Sequence, residues 1–320
     1  MSYKKILSIM VTGLLLFAIV LIYIRGAYLP IFSKQIKVGA TYMTMNNDFY
    51  KTLNNELEKE LNQKGDLLYS RDPELDETKQ SQQIDTFVKE QVNVIVINPV
   101  KSDSILVLKS LKEAKKKGIK IIAVDTSLAD KNLADTTIVS DNYQAGVLIA
   151  KDMMKVRKQA NILLLEHKNA LSAADRVQGF LDTIAKYSQY QVVSQRDTLG
   201  QTEESMYQVK QVLDQGTYFD TVMSLNDRSA LGALAAIKNK PLSKKILVYG
   251  VDGSPEMKSM LATTNDIQGT VAQSPISMGK KVVDVIELIA ENKPYQSRYL
   301  IPVTLINKKI IGKYDLTEWQ

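Results

Sequence analysis

Hydrogen-bonding side chains recur in this chain at the ends of short apolar runs that have the character of β-strands. These side chains belong to Asn98, Asp125, Asn226, Asp252 and Gln273. In an open α/β sheet, ligands bind just beyond the carboxyl ends of the strands. A buried amide or carboxylate that stays unpaired costs about 1–3 kcal/mol, and ligand hydroxyl groups can provide the pairing. The pattern therefore predicts a site for a small molecule rich in hydroxyl groups.

The stretch from Val38 to Tyr50 reads V-G-A-T-Y-M-T-M-N-N-D-F-Y and adds aromatic side chains to these candidates. It begins as a buried strand and ends in a turn, where Asn47 can either cap the next helix or bind a ligand. Phe49 and Tyr50 can either fill the core or cover the apolar face of a ring. Taken alone, this stretch favours the cap and the core.

Each polar candidate is, by itself, more typical of a helix cap or a turn than of a ligand site. Their recurrence at successive strand ends is what favours a site. Arg176, on an amphipathic helical segment, adds one cation to the set.

The elements that must position these residues alternate along the chain from Ile36 onward. Short apolar runs alternate with longer amphipathic runs, which is typical of βα units around a parallel sheet. Strands are predicted at 36–42, 67–69, 92–99, 119–125, 161–166, 190–194, 221–225, 245–251 and 269–272, with strand-like alternation at 297–311. Helices are predicted at 49–63, 77–91, 103–117, 140–157, 172–187, 202–215, 229–238, 255–263 and 275–292. We therefore predict two doubly wound α/β units whose strand ends can face each other across a cleft.

The composition is that of an ordinary globular protein, with 320 residues, 45% of them hydrophobic and 24% charged. The formal charge is +6, but the lysines are scattered, and the densest group, at 112–117, suits a helix C-terminus. We predict no nucleic-acid partner. The absence of cysteine excludes disulfides, thiolate metal sites and lipidation on an N-terminal cysteine. The single histidine, His167, excludes a histidine-pair metal site, and no metal or cofactor is predicted.

An uncharged run from Ile6 to Ile24 dominates the N-terminus. As a helix it matches the roughly 30 Å thickness of a bilayer's hydrocarbon core. A cleaved signal peptide is the alternative, but Arg25 and bulky neighbours spoil the best cleavage position, near Ala27. We predict an uncleaved transmembrane anchor, followed by a short connector.

Between residues 36 and 311, eight short segments follow one another in this order: T-M-N-N-D-F-Y at 44–50, I-N-P-V-K-S-D at 97–103, A-V-D at 123–125, S-D-N at 140–142, S-A-A-D-R-V-Q-G-F at 172–180, S-L-N-D-R-S-A-L-G-A at 224–233, Y-G-V-D-G-S-P at 249–255 and V-A-Q at 271–273. Over this range the chain resembles the type I periplasmic solute-binding proteins, and most closely their ribose-binding-like sugar receptors, in which such segments have the same order. One such segment is weakly specific, whereas the ordered series is strongly specific.

The resemblance implies a role in ligand binding for each candidate. Phe49 and Tyr50 would stack on a sugar ring, and His167 would line the cleft, although a surface or loop position is equally compatible with the sequence at His167. Hydrogen-bonding roles fall on Asn47, Asn98, Asp125, Arg176, Asn226, Asp252 and Gln273.

The chain also departs from ribose binders at several positions. Thr126 stands in place of an arginine, Asp48 in place of a proline, Met43 in place of a small polar residue and Val251 in place of an aromatic. These departures leave the sugar-receptor class intact and the identity of the sugar open. One arginine against two aspartates suits a neutral sugar or polyol, and a pentose such as xylose or ribose is predicted.

The resemblance further implies two parallel-sheet lobes joined by a three-stranded hinge. The predicted domains are 1–35 for the anchor and connector, 36–139 plus 274–303 for the N-terminal lobe, and 140–273 plus 304–320 for the C-terminal lobe. The chain would cross between lobes near 139–140, 273–274 and 301–304. Trp319 is predicted to pack on the second lobe.

Four function classes remain for comparison. A permanent anchor favours a sugar receptor at the cell membrane, with an extracytoplasmic binding domain that signals to a membrane sensor histidine kinase. The alternative is the substrate-binding component of a sugar ABC importer. An enzyme is not predicted, because the chain has no P-loop, G-x-G-x-x-G or G-x-S-x-G motif and no metal-ligand cluster. A DNA-binding repressor is disfavoured because the apolar run occupies the place of a helix-turn-helix.

Overall fold

The computed structural model describes residues 3–28, 35–240 and 245–320. The chain forms two compact units, Met1–Gln35 and Ile36–Gln320. Most of the predicted connector lies outside the described residues. The first unit contains helix α1 (Tyr3–Tyr28), whose side chains from Met10 to Tyr23 are exposed.

The predicted transmembrane anchor is not supported by the structure. Among the helices of the described residues, none combines the length and the apolar character needed to cross a membrane.

The second unit is built on two six-stranded sheets. Its strands are β1 (Lys37–Thr41), β2 (Leu67–Arg71), β3 (Val94–Ile97), β4 (Lys120–Val124), β5 (Thr136–Ser140), β6 (Ala160–Glu166), β7 (Tyr190–Asp197), β8 (Thr221–Ser224), β9 (Leu247–Asp252), β10 (Ile267–Ala272), β11 (Arg298–Ile301) and β12 (Thr304–Asn307). The first sheet has the order β11-β5-β4-β3-β1-β2 and the second β12-β10-β9-β8-β6-β7. All recorded pairs are parallel except β10 with β12. The predicted architecture of two parallel α/β sheets is confirmed.

Helices cover both faces of each sheet, as parallel strands require. They are α2 (Asp48–Lys64), α3 (Glu77–Lys89), α4 (Ile105–Lys116), α5 (Asn142–Val156), α6 (Leu171–Ile184), α7 (Thr202–Asp214), α8 (Asp227–Lys238), α9 (Pro255–Thr263) and α10 (Pro275–Ala290), with a short 3₁₀ helix at Ile311–Lys313. On the first sheet, α2 and α10 share one apolar core and α3 and α4 the other. On the second sheet, α5 and α6 share one core and α7, α8 and α9 the other. We call each sheet with its helices a lobe.

The chain passes between the lobes at three places. It leaves the first lobe between β5 and α5, returns between β10 and α10, and leaves again between β11 and β12. The exact domain limits predicted from the sequence stay a prediction, but each crossing lies beside a strand end. The carboxyl ends of strands from both sheets can therefore border a common space.

Candidate functional site

A cavity of about 40 Å³ lies between the two lobes, at the carboxyl ends of their strands. Its lining residues are Met43, Asn47, Phe49, Tyr50, Asp125, His167, Ala170, Ser172, Ala173, Arg176, Leu199, Gly200, Gln201, Leu225, Asn226, Asp252 and Gln273. All the predicted site residues except Asn98 thus line one cavity; their contact with a ligand remains a prediction.

Asn98 lies behind the cavity, where it holds other residues in place. Its amide nitrogen donates to Asp125 Oδ2 at 3.2 Å and to the Val124 carbonyl at 3.2 Å, while its oxygen accepts from the Met43 amide at 3.1 Å. Since these bonds occupy both ends of a fully buried amide, Asn98 positions the aspartate and the β1 loop.

The wall on the first lobe combines aromatic rings with one carboxylate. The Tyr50 hydroxyl donates to Asp125 Oδ2 at 3.1 Å, and its ring stacks at 6.0 Å on that of Tyr42. Phe49 stands edge-on to Tyr50, with 5.6 Å between the ring centroids. Tyr50 therefore orients Asp125 as well as lining the cavity, and Phe49 presents apolar surface to it.

Asn47 and Asn226 serve as helix caps and line the cavity at the same time. Asn47 Oδ1 accepts from the Phe49 amide at 3.0 Å at the start of α2, and Asn226 Oδ1 accepts from the Ser229 amide at 2.9 Å at the start of α8. Asn226 Nδ2 also donates to the Gly200 carbonyl at 3.0 Å. The two interpretations of these asparagines are therefore compatible, because the cap fixes the side chain at the cavity wall.

Arg176, on α6, places its positively charged guanidinium group in the cavity wall. Its Nε donates to Asn142 Oδ1 at 2.7 Å and one terminal nitrogen to the Leu225 carbonyl at 2.8 Å. The same terminal nitrogen lies 3.8 Å from Asp252 Oδ1. The side chain is buried, so these partners hold the guanidinium in one orientation.

Two glycines let α6 lie close enough to α5 for this placement. A Cβ atom at Gly146 would lie 1.9 Å from the Arg176 carbonyl oxygen, and one at Gly179 would lie 2.0 Å from the Tyr143 carbonyl oxygen. Both obstacles are backbone atoms. The helix–helix contact that carries Arg176 therefore depends on the absence of side chains at these positions.

Gln273 offers the cavity an acceptor with no partner. Its Nε2 donates to Asp252 Oδ1 at 2.7 Å, but its buried Oε1 has no hydrogen-bond partner among the described residues. An unpaired buried acceptor is costly unless a ligand donates to it. The neighbouring Asp252 has φ +137° and Asp125 has φ +62°, values that non-glycine residues rarely adopt and that cluster at binding sites.

Three buried carboxyl groups, those of Asp125, Asp227 and Asp252, lie in this part of the structure. Burial, with the nearby Asp227 charge, raises the pKa of Asp252 to about 8, although Arg176 opposes the shift. Burial also raises the pKa of Asp227 to about 6, against hydrogen bonds from Thr270 and Ser254. The pKa of Asp125 is raised by burial and opposed first by Arg176. Burial therefore favours the protonated, neutral form of these acids, and Arg176 offsets that effect only in part.

The stability of the protein without sugar should depend on pH through Asp252. Because its pKa is raised on folding, the folded state binds more protons than the unfolded state below about pH 8, so the free energy of unfolding falls as pH rises. We expect a decrease of about 1–2 kcal/mol between about pH 6.5 and about pH 8, measured by denaturant unfolding. Asp252→Asn should flatten this part of the profile; a variant with an unchanged slope would contradict the assignment.

His167 lies at the end of β6, is buried and lines the cavity. Burial lowers its pKa, an effect that the Asp197 charge opposes. It is therefore a neutral hydrogen-bonding group at neutral pH. Of the two positions compatible with the sequence, the structure places it in the cavity wall.

The loop that follows β7 was missed by the sequence analysis. Leu199, Gly200 and Gln201 line the cavity, but the strand was predicted to end at 194, whereas β7 continues to Asp197. β7 is an edge strand with alternating exposure, so its second half lacks an apolar run. Its residues 194–197 read S-Q-R-D, which has no apolar/polar alternation, so the sequence carries no signal that extends the strand to the loop.

Ser172 was also missed as a cavity residue. Its hydroxyl lies 2.7 Å from that of Thr126 and forms a hydrogen bond between the lobes. Thr126, at the position of a family arginine, also donates to Asp125 Oδ2 at 3.3 Å. Among the described residues, no group of three or more histidine, aspartate or glutamate side chains is arranged to hold a metal ion.

Comparisons with known proteins agree with this geometry. A family model described as a periplasmic binding protein domain matches residues 38–294. The ribose import binding protein RbsB of Bacillus subtilis (strain 168) is 29% identical over 281 residues, which cover 87% of this chain and 89% of that protein. The D-apiose import binding protein of Actinobacillus succinogenes is 27% identical over 252 residues, covering 76% of this chain and 80% of that protein.

A solved structure shows the same fold. It is the fructose-binding periplasmic domain of a hybrid two-component system, with a TM-score of 0.81 and 21% identity. The match covers 87% of this chain and 93% of the other.

Proposed function

The chain belongs to the periplasmic binding protein family, and from that membership we propose that it is an extracytoplasmic receptor that closes over a small neutral sugar. The observation that carries the proposal is the convergence of hydrogen-bonding side chains from both lobes on one cavity between them. These include Asp125 on the first lobe and Arg176, Asp252 and Gln273 at the second. The receptor binds its ligand without chemical change.

The charges in the cavity support a neutral ligand rich in hydroxyl groups. Arg176 is already engaged by Asn142, by the Leu225 carbonyl and by the nearby Asp252, so it offers little free positive charge to an anion. Sugar hydroxyls can both donate and accept, which suits the mixture of carboxyl, amide and guanidinium groups. The aromatic ring of Phe49 lines the cavity, and such a ring can contact the apolar face of a sugar ring.

A pentose is our proposed substrate class, with xylose and ribose as the first candidates. The names of the two curated relatives, which refer to ribose and D-apiose, support a pentose. Thr126 and Met43 replace residues that are usual in ribose binders, so a pentose other than ribose is also compatible with the site.

Closure of the lobes is supported by direct bonds between them. The Ser102 amide donates to the Asn169 carbonyl at 3.1 Å, and the Leu171 amide donates to Ser102 Oγ at 3.3 Å. Arg228, at the start of α8, donates to the Asn46 carbonyl of the first lobe. A sugar that contacts both lobes favours this arrangement because it binds the closed form better than the open one.

We propose that the receptor delivers its sugar to an ABC importer. Both curated relatives described above are import binding proteins, and the membrane anchor that favoured a kinase partner is not supported. A sensor histidine kinase is the second candidate partner, favoured by the fold shared with the periplasmic domain of a two-component system. The tagged protein can be purified from membranes and the proteins that accompany it identified. A permease among them would support the importer, and a histidine kinase would support the signalling role.

A panel of pentoses and hexoses tests the central proposal. A ligand at about 100 times its Kd stabilises the folded state by about 2.7 kcal/mol, which raises the melting temperature by several degrees. We expect such a rise with at least one pentose, measured by thermal unfolding, and none with sugar acids of similar size. A panel without any shift would refute the sugar assignment.

A further inference from the structure

The C-terminal tail is attached to the second lobe by an apolar contact and by a buried lysine. Ile311, Tyr314 and Leu316 pack into the core shared by α7, α8 and α9. Lys258 on α9 is fully buried, and its Nζ donates to the carbonyl oxygens of Asp315 and Glu318. The tail is therefore fixed to the second lobe as far as residue 318.

The next residue, Trp319, contacts the other lobe. Its ring lies edge-on to that of Phe49, with 5.6 Å between centroids and an interplanar angle of 78°. It packs against the core formed by α2, α10 and the first sheet. The sequence prediction that Trp319 packs on the second lobe is wrong in this respect: the tail belongs to that lobe, but the indole reaches across to the first.

Phe49 is held between two aromatic partners. Tyr50 meets it at 90° and Trp319 at 78°, each with a centroid distance of 5.6 Å. Edge-to-face pairs of this kind are favourable because the positive edge of one ring meets the negative face of the other. Trp319 thus restricts the orientation of a ring that lines the cavity.

We propose that Trp319 is a positioning residue for sugar binding, which the second lobe supplies to hold Phe49 against the ligand when the lobes close. This role rests on the proposed sugar-receptor function. Because Trp319 is carried by one lobe and Phe49 by the other, separation of the lobes breaks the ring contact. The contact therefore stabilises the closed form alone, and this increases the apparent affinity for the ligand.

Tryptophan fluorescence gives a direct test, because Trp319 is the single tryptophan of the chain. Separated lobes expose its indole to water, and closure packs it against Phe49. Addition of a sugar that binds should therefore shift the emission of the full-length protein to shorter wavelength. Isothermal titration calorimetry on the same samples records binding independently of the indole.

Substitutions test the positioning role. Trp319→Ala should raise the Kd about 2- to 10-fold, which corresponds to the usual energy of an aromatic pair, with the melting temperature of the sugar-free protein unchanged. Trp319→Phe should restore most of the affinity. Tyr187→Ala is the matched control, because Tyr187 meets Tyr190 edge-on within the second lobe, with 6.3 Å between the ring centroids; it should keep the Kd.

Lys258→Met extends the test to the attachment of the tail. It removes the bonds to the tail carbonyls, so we expect its Kd to rise as much as that of Trp319→Ala. The variant that carries both substitutions should have a Kd no higher than either single variant. If Lys258→Met fails to fold, the Trp319 variants still decide. Heat of binding without an emission shift, or a Trp319→Ala variant with parental affinity, would overturn the role of Trp319 alone. No heat with any sugar would overturn the proposed function and this role together.

Discussion

Arg176→Ala should abolish the thermal stabilisation that a sugar gives to the parent protein. The guanidinium is the cation beside Asp252, and it also opposes the raised pKa values of Asp252 and Asp125. Its removal leaves the Asn142 oxygen and the Leu225 carbonyl without their donor and the buried acids without a counter-charge. We propose that the guanidinium also donates to the sugar, and a hydrogen bond made by a charged group contributes about 1.5–3 kcal/mol. The Kd should therefore rise by at least about 10-fold.

The measurement is a sugar titration followed by thermal unfolding and calorimetry. Arg196→Ala serves as the control, since Arg196 lies on the edge strand β7 and its recorded hydrogen bonds are exposed. It should keep the parental shift. Circular dichroism should show that sugar-free Arg176→Ala is folded, so that the loss can be assigned to binding. A folded Arg176→Ala variant with a parental shift would remove Arg176 from the site.

The largest expected effect on stability comes from Gly146→Ala. The added methyl group would approach the Arg176 carbonyl oxygen to 1.9 Å and the Phe180 amide nitrogen to 2.6 Å. Neither backbone atom can rotate away, so α5 and α6 must separate and lose their shared packing. Overpacking of a tight core costs about 1–3 kcal/mol and occasionally more, and we expect the upper part of this range. Sugar affinity should fall as well, because α6 carries Arg176.

Urea unfolding measures this effect. Gly312→Ala is the matched control, because a Cβ atom at Gly312 meets nothing within 4 Å and no positive φ is recorded there. Its free energy of unfolding should equal that of the parent. Equal stability of the Gly146→Ala and Gly312→Ala variants would show that the close contact between α5 and α6 is not needed.

The alternation of apolar and amphipathic runs was enough to predict two parallel sheets and most of their strands. It worked because strands such as β3 and β9 are buried on both faces and appear as continuous apolar runs. It failed for the second half of β7, which lies at a sheet edge, and it did not identify β5 as a strand. Edge strands have one neighbour, so their sequences carry a weaker apolar signal.

The residues of the candidate site were likewise predicted only in part from the sequence. Residues at strand ends, such as Asp125 and Asp252, were found because the fold directs strand ends to one place. Asn98 has the same position in its strand, yet it lies behind Asp125, and its orientation depends on packing that the strand pattern does not contain. The contact of Trp319 with Phe49 was also missed, since these residues are distant in sequence and only tertiary structure brings them together.

The three crossings between the lobes have a consequence for the order in which the protein can fold during synthesis. The core on one face of the first sheet needs Met278, Val282 and Ile286 of α10, and the sheet itself needs β11 at its edge. These segments are made after the whole of β6 to β10, so the N-terminal lobe is completed only after most of the second lobe has been synthesised. Until then, the apolar face of α2 lacks its partner helix and stays exposed in the nascent chain.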